Sequence, residues 1–116
     1  MASVLFHRDE VVLLTGKRKH CFVRVEDISL LEAHHNHTLV HIPGGKLLVQ
    51  RPLGDCERKL ESATFFRASR SCVVNLTHVK QSRLLADRRL VFLLKDGKEV
   101  VFSRRQSALF DKTRGF

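Results

Sequence analysis

Apolar residues along the chain fall into short runs, and turn-forming residues interrupt them often. Val11–Thr15 meets Gly16-Lys17-Arg18, and in His20–Val25 the residues Cys21, Val23 and Val25 alternate with Phe22 and Arg24. Ser29–His34 breaks at His35-Asn36-His37, Thr38–Ile42 ends in Pro43-Gly44-Gly45, and Lys46–Gln50 follows. Later runs are Ser82–Ala86, Leu90–Leu94 and Glu99–Phe102, with Asp96-Gly97 between the last two. Asp-Gly is a strong hairpin signal, because both residues tolerate positive φ. Runs of this length, spaced by turn signals, predict a mostly antiparallel β domain.

Two stretches read as helical. Pro52–Ser62 places Leu53, Cys56, Glu57 and Leu60 at i, i+3, i+4 and i+7, a narrow stripe backed by charge. Gly54 weakens it, so about two turns are expected. Ser103 is placed to cap a second helix, Arg104 to Lys112, with Leu109 and Phe110 turned inward. The chain shows no linker, repeat or low-complexity tract, so residues 10–116 read as one domain. Residues 1–9 read as an N-terminal extension or a remnant of expression.

Composition sharpens this picture. The chain has 116 residues and is 43% hydrophobic, enough to bury a core and unlike a disordered tail. Lys and Arg number 21 against 12 Asp and Glu, for a net charge of +9. A surplus of that size points to a polyanionic partner. It is also clustered. Residues 65–89 hold Arg67, Arg70, Lys80, Arg83, Arg88 and Arg89 against Asp87 alone, as a phosphate-tracking patch requires. Cys21, Cys56 and Cys72 are isolated, with no C-x-x-C pair, which fits a reducing cytoplasm. Val11–Leu14 is too short for a signal segment or a membrane span.

The stretch FFRASRSCVVNLTHV, residues 65–79, sets two arginines between two apolar anchors. Phe65-Phe66 and Cys72-Val73-Val74 both call for burial, so Arg67 to Ser71 is expected as an exposed bridge pinned at each end. A pinned loop loses little entropy on docking, and Arg suits a phosphate fork or a guanine edge. Asn75, Thr77 and His78 read better as structural, since Asn and Thr side chains bind nearby backbone. Arg104 and Arg105 sit at a helix start, where cations oppose the helix dipole unless an anion neutralises them.

His34, His35 and His37 raise the alternative of a metal-binding sensor or enzyme. No cysteine or carboxylate pair completes a tetrahedral set, and no metal or cofactor is expected. His35 and His37 read as loop-tip donors to phosphates or bases, stronger when protonated. No catalytic motif is present, and none of the acidic residues form a pair. A second alternative is a β-barrel that stacks single-stranded nucleic acid or RNA on exposed aromatics. The Phe residues sit mostly within apolar runs, which argues against it.

Together DISLLEA (27–33), GKLLVQRPLGDCERKL (45–60), FFRASRSCVVNLTHV (65–79) and LVFLLKDGKEVVFSRRQ (90–106) resemble the LytTR DNA-binding domain, an output domain of bacterial response regulators. Its most specific piece is F-x-R-x-x-R-S-x-x-V-N-L, here Phe65, Arg67, Arg70, Ser71, Val74, Asn75 and Leu76. The resemblance implies an elongated set of small antiparallel sheets with one or two short helices. It implies loops entering successive major grooves of double-stranded DNA: His34 to Thr38, Ser69 with Arg70, and Ser103 with Arg104. It further implies tandem half-sites and a homodimer on DNA, while the isolated cysteines and the short apolar runs give the expectation of a cytoplasmic location and no membrane contact. Arg70 and Arg104 are the expected base readers, assisted by His35, Asn36 and His37. Arg67, Ser69, Lys80, Arg83 and Arg105 are the expected phosphate contacts. Three positions depart from the family pattern. His37 stands where an aromatic is common, Ser69 where a His often precedes the loop arginine, and Cys72 where an aromatic often follows the R-S pair. Base preference therefore does not carry over. A receiver or sensor domain, the usual partner in such regulators, would need roughly a hundred further residues.

Overall fold

A computed structural model describes residues 5–115. The reading of Met1-Ala2-Ser3 as a start or remnant lies outside them. Ten strands, β1 (Val11–Thr15), β2 (His20–Arg24), β3 (Leu30–His34), β4 (His37–Ile42), β5 (Gly45–Val49), β6 (Phe65–Ser69), β7 (Cys72–Asn75), β8 (Val79–Leu84), β9 (Leu90–Leu94) and β10 (Glu99–Val101), alternate with two helices, α1 (Leu53–Glu57) and α2 (Arg104–Arg114). All strand pairs are antiparallel. They form a β1–β2 hairpin, a central sheet ordered β5-β4-β3-β7-β6 and a sheet ordered β10-β9-β8. The molecule is elongated, 43 × 33 × 28 Å. The expected set of small antiparallel sheets with two helices is the architecture observed.

The central strands are buried on both faces. Side chains alternate across a strand. Leu31, Val40 and Val73 enter one core with Val12 and Val23 of the hairpin and Leu53 of α1. Leu30 and Val74, one residue away, enter a second core with Phe92, Leu94, Val100 and Phe102. In that second core Phe66, Phe92, Phe102 and Phe110 pack with ring centroids 4.7 to 5.9 Å apart. Such pairs contribute about 0.5–1.5 kcal/mol each beyond burial. Phe102 is fully buried and directly precedes the cap of α2, so this cluster fixes where that helix begins.

Several expectations change. The first helix is one turn and a half, because Gly54 and the absence of a side-chain cap leave it little support. Its stripe still packs as expected, with Leu53 and Leu60 buried. Phe110 turns inward, but Leu109 is exposed, because α2 lies with only one narrow face on the sheet. Strand β6 runs on to Ser69, so the exposed bridge shrinks to Arg70 and Ser71. The reason is a bulge between Arg67 and Ser69, which sends Ala68 into the second core at 0% exposure. Phe6 and Arg8 are tied to the domain. The Phe6 amide donates to the Lys59 carbonyl at 2.8 Å, its ring packs on the first core, and the Glu26 amide donates to the Arg8 carbonyl at 2.8 Å. The boundary expected at residue 10 is crossed by these contacts.

Asn75 is structural, as expected. It is fully buried, and its amide donates to the Ile28 carbonyl at 2.8 Å while its carbonyl accepts from the Thr77 amide and hydroxyl at 3.0 and 2.8 Å. One side chain thus joins β7, the turn after it and the approach to β3.

Candidate nucleic-acid interface

Three segments expected to carry recognition meet at one end of the central sheet. Strands β3 and β7 pair antiparallel with Glu32 opposite Cys72, so the end of β3 lies beside the start of β7. The Ala33 amide donates to the Ser71 carbonyl at 2.8 Å, which ties the β3–β4 turn to the β6–β7 turn. The Ser103 amide donates to the Ala68 carbonyl at 3.0 Å, which brings the start of α2 to the same place. Long-range hydrogen bonds, absent from any local pattern, assemble the three.

The β6–β7 turn is heavily braced. The Arg67 guanidinium donates to the Ser69 carbonyl at 2.7 Å, to Glu57 Oε1 at 2.8 Å and to the Arg70 carbonyl at 2.6 Å. Gln106 Nε2 donates to the Arg67 carbonyl at 2.7 Å. The Ser71 amide donates to Ser69 Oγ at 3.2 Å, a local bond that closes the turn. Arg67 was expected at a phosphate. Three of its five N–H donors are engaged, two by carbonyls of the turn and one by Glu57 of α1. Arg70 is exposed, and among the described residues its side chain has no ion-pair partner.

The β3–β4 turn is sparer. His35 and Asn36 form its two exposed central positions, and His35 sits at φ +56°. The His34 and His35 rings meet edge to face at 5.1 Å. His37 is set back at the start of β4, half-buried, with Nδ1 buried and without a hydrogen-bond partner among the described residues. Among those residues, no group of three His, Cys, Asp or Glu side chains is placed to hold a metal ion.

The start of α2 supplies the third segment. Ser103 caps the helix, its Oγ accepting from the Gln106 amide at 3.2 Å. Arg104 and Arg105 are exposed. Arg104 stands 3.9 Å from Asp87. Partial desolvation works to raise the Asp87 pKa, but hydrogen bonds from the Arg89 backbone and guanidinium, with the Arg104 charge, hold it below the usual carboxylate range. A shallow groove joins the second and third segments, lined by Ser69, Arg70, Arg105, Gln106, Leu109 and Lys112. Lys112 did not stand out in the sequence. Arg105, Leu109 and Lys112 follow i, i+4, i+7, so the spacing held a signal once α2 was placed. Arg88, in the β8–β9 connection, is exposed at φ +72° and was counted only as charge.

Two expected phosphate contacts fare differently. Arg83 on β8 is exposed and pairs with Glu99 at 2.6 Å. Lys80 is exposed near the other end of the molecule. Its neighbour His78 accepts from the Lys95 amide through its carbonyl at 2.9 Å, and His78 shares a groove with Gly44 and Lys46 of the β4–β5 turn. That turn is separated from the β3–β4 turn by the six residues of β4, about 17–20 Å. Cys72, just past the recognition turn, is chemically quiet. Burial, then the nearby Glu32 carboxylate, push its thiol up to about 12 against the pull of Arg67.

A sequence profile described as the LytTr DNA-binding domain matches residues 18–114. The fold is similar to the LytTr DNA-binding domain of a Bacillus cereus protein described as a methyl-accepting/DNA response regulator. The two are 25% identical, with a TM-score of 0.82 over 91% of this chain and 97% of the other. No curated protein sequence matches the chain.

Proposed function

The chain belongs to the LytTR DNA-binding domain family, whose members regulate transcription, and from that premise we propose that it reads double-stranded DNA by inserting its turns into successive major grooves. The convergence of the β3–β4 turn, the β6–β7 turn and the start of α2 at one end of the central sheet carries this reading. Arg70 and Arg104 read base edges, and His35 and Asn36 assist, with His37 behind them. Arg forms bidentate pairs with guanine O6 and N7, and each such pair discriminates by about 1–3 kcal/mol. Ser69, Arg83 and Arg105 contact phosphates, and the groove adds Lys112. Arg67 supports the turn that presents Arg70. The protein acts on tandem half-sites as a dimer, without catalysis, in the cytoplasm, and answers to a receiver or sensor domain. No helix among the described residues is long and apolar enough to cross a membrane.

Selection from a random duplex pool tests this reading, with Arg70→Ala run in parallel. Enrichment of a motif repeated at a fixed spacing, with one base preference lost in the variant, is the expected outcome. Salt-sensitive binding with no enriched motif would reduce the basic surface to a general polyanion patch.

A further inference from the structure

The first turn of α2 reads Ser103-Arg104-Arg105-Gln106, and a Ser followed three residues later by Gln is the sequence of a capping box. In that motif the Ser hydroxyl accepts from the Gln amide, and the Gln side chain reaches back to the Ser amide. Here only the first bond forms, with Ser103 Oγ accepting from the Gln106 amide at 3.2 Å. The Ser103 amide donates instead to the Ala68 carbonyl at 3.0 Å, and Gln106 Nε2 donates to the Arg67 carbonyl at 2.7 Å. The groups that would close the helix on itself thus engage two consecutive carbonyls of β6, beside its bulge.

Gln106 is half-buried, and among the described residues it is the only side chain of that first turn bonded to the β6–β7 hairpin. The Arg67 guanidinium in turn donates to the Arg70 carbonyl at 2.6 Å. Two side-chain bonds therefore join the helix start that presents Arg104 to the turn that presents Arg70. The rest of α2 is held elsewhere: Ser107 Oγ accepts from the Leu90 amide at 2.9 Å, and Phe110 packs on the second core. The bond also needs glutamine. A carbonyl only accepts, so its partner must donate. Glu has the same shape but would set acceptor against acceptor, although it suits a capping box and the helix dipole at least as well. Resting on the reading of Arg70 and Arg104 as base contacts, we propose that Gln106 is a positioning residue. It sets the separation of the two arginines, and so the number of base pairs between the positions they read.

The test uses the selected duplex and two derivatives, with one base pair inserted or removed between the positions assigned to Arg70 and Arg104 by their alanine variants. Wild type should bind each derivative about tenfold or more weakly than the selected duplex. Gln106→Met and Gln106→Glu should keep the base preference at each position and lower that discrimination by about threefold to tenfold. Gln106→Glu should also keep the melting temperature of wild type. Its added charge weakens binding to every duplex alike, so the ratio of affinities is the readout. Loss of melting temperature and affinity with the discrimination intact would make Gln106 a structural residue and overturn the proposal. So would loss of one base preference, which would make it a base contact. A wild type indifferent to spacing, while Arg70→Ala and Arg104→Ala each still lose a preference, would overturn the positioning role alone. If neither alanine variant loses a preference, the reading of two base-contacting segments falls, and the proposal with it.

Discussion

Both ends of the central sheet are basic, yet they are built differently. At one end Arg70, Arg104 and Arg105 project from tight turns and a helix start that are bonded to one another across the chain. At the other, Lys46, Lys95 and Lys98 share a groove with Asp27 and Asp96, and Lys98 is paired with Asp96 at 2.8 Å. The Lys98 side chain and amide hold the Asp96 carboxyl below its usual range. Surface cations with local partners contribute little to long-range attraction. Cations held out on braced turns keep their charge for a ligand and lose little freedom on binding it. Net charge alone therefore does not distinguish the two ends; the bracing does.

The sharpest break of this comparison is Arg70 against Arg67. Arg70→Ala should weaken binding to the selected duplex by about 1–3 kcal/mol and relax one base position, with no change in melting temperature. Equal losses on selected and random DNA would remove its base-reading role. Arg67→Met should act through the fold. It leaves the Ser69 and Arg70 carbonyls without their donor and lowers stability by about 1–2 kcal/mol, readable in a urea titration, with weaker specific binding following from the slackened turn. A variant that binds less tightly with unaltered stability would return Arg67 to direct phosphate contact.

Salt dependence compares the two ends themselves. Arg105→Ala should flatten the slope of log K against log salt by about one unit, the signature of one lost phosphate contact. Lys80→Ala, toward the other end, should leave that slope unchanged. Equal flattening would mean that DNA runs along the whole molecule rather than across the turns. The smallest effect is expected at His35. Its φ of +56° lies in the left-handed region, which costs a non-glycine residue about 1–2 kcal/mol, while glycine there loses about 0.5–1 kcal/mol in entropy. His35→Gly should therefore raise stability by about 0.5 kcal/mol while lowering affinity for the selected duplex, which calorimetry and binding on the same sample would separate.

The order and type of elements were legible in the chain. Alternating apolar runs, Asp96-Gly97, the Pro43-Gly44 turn and the Ser103 cap act over a few residues, and strand pairing and burial followed them. Asn75 was legible as structural for the same reason. The family motif named Arg70, Arg104 and the His35–Asn36 turn as the candidate site. What the sequence left open depends on contacts far apart in the chain. The bulge at Ala68 carries its methyl group into the second core, and Arg67 beside it braces the turn. Leu109 faces out because α2 packs through Phe110 alone at that level. Lys80 lies far from the recognition turns because β8 runs back along the molecule. Periodicity and turn chemistry are properties of neighbours, so the sequence by itself determined them. Which exposed cation is braced, paired or left free depends on groups tens of residues away, and only the tertiary structure decided that.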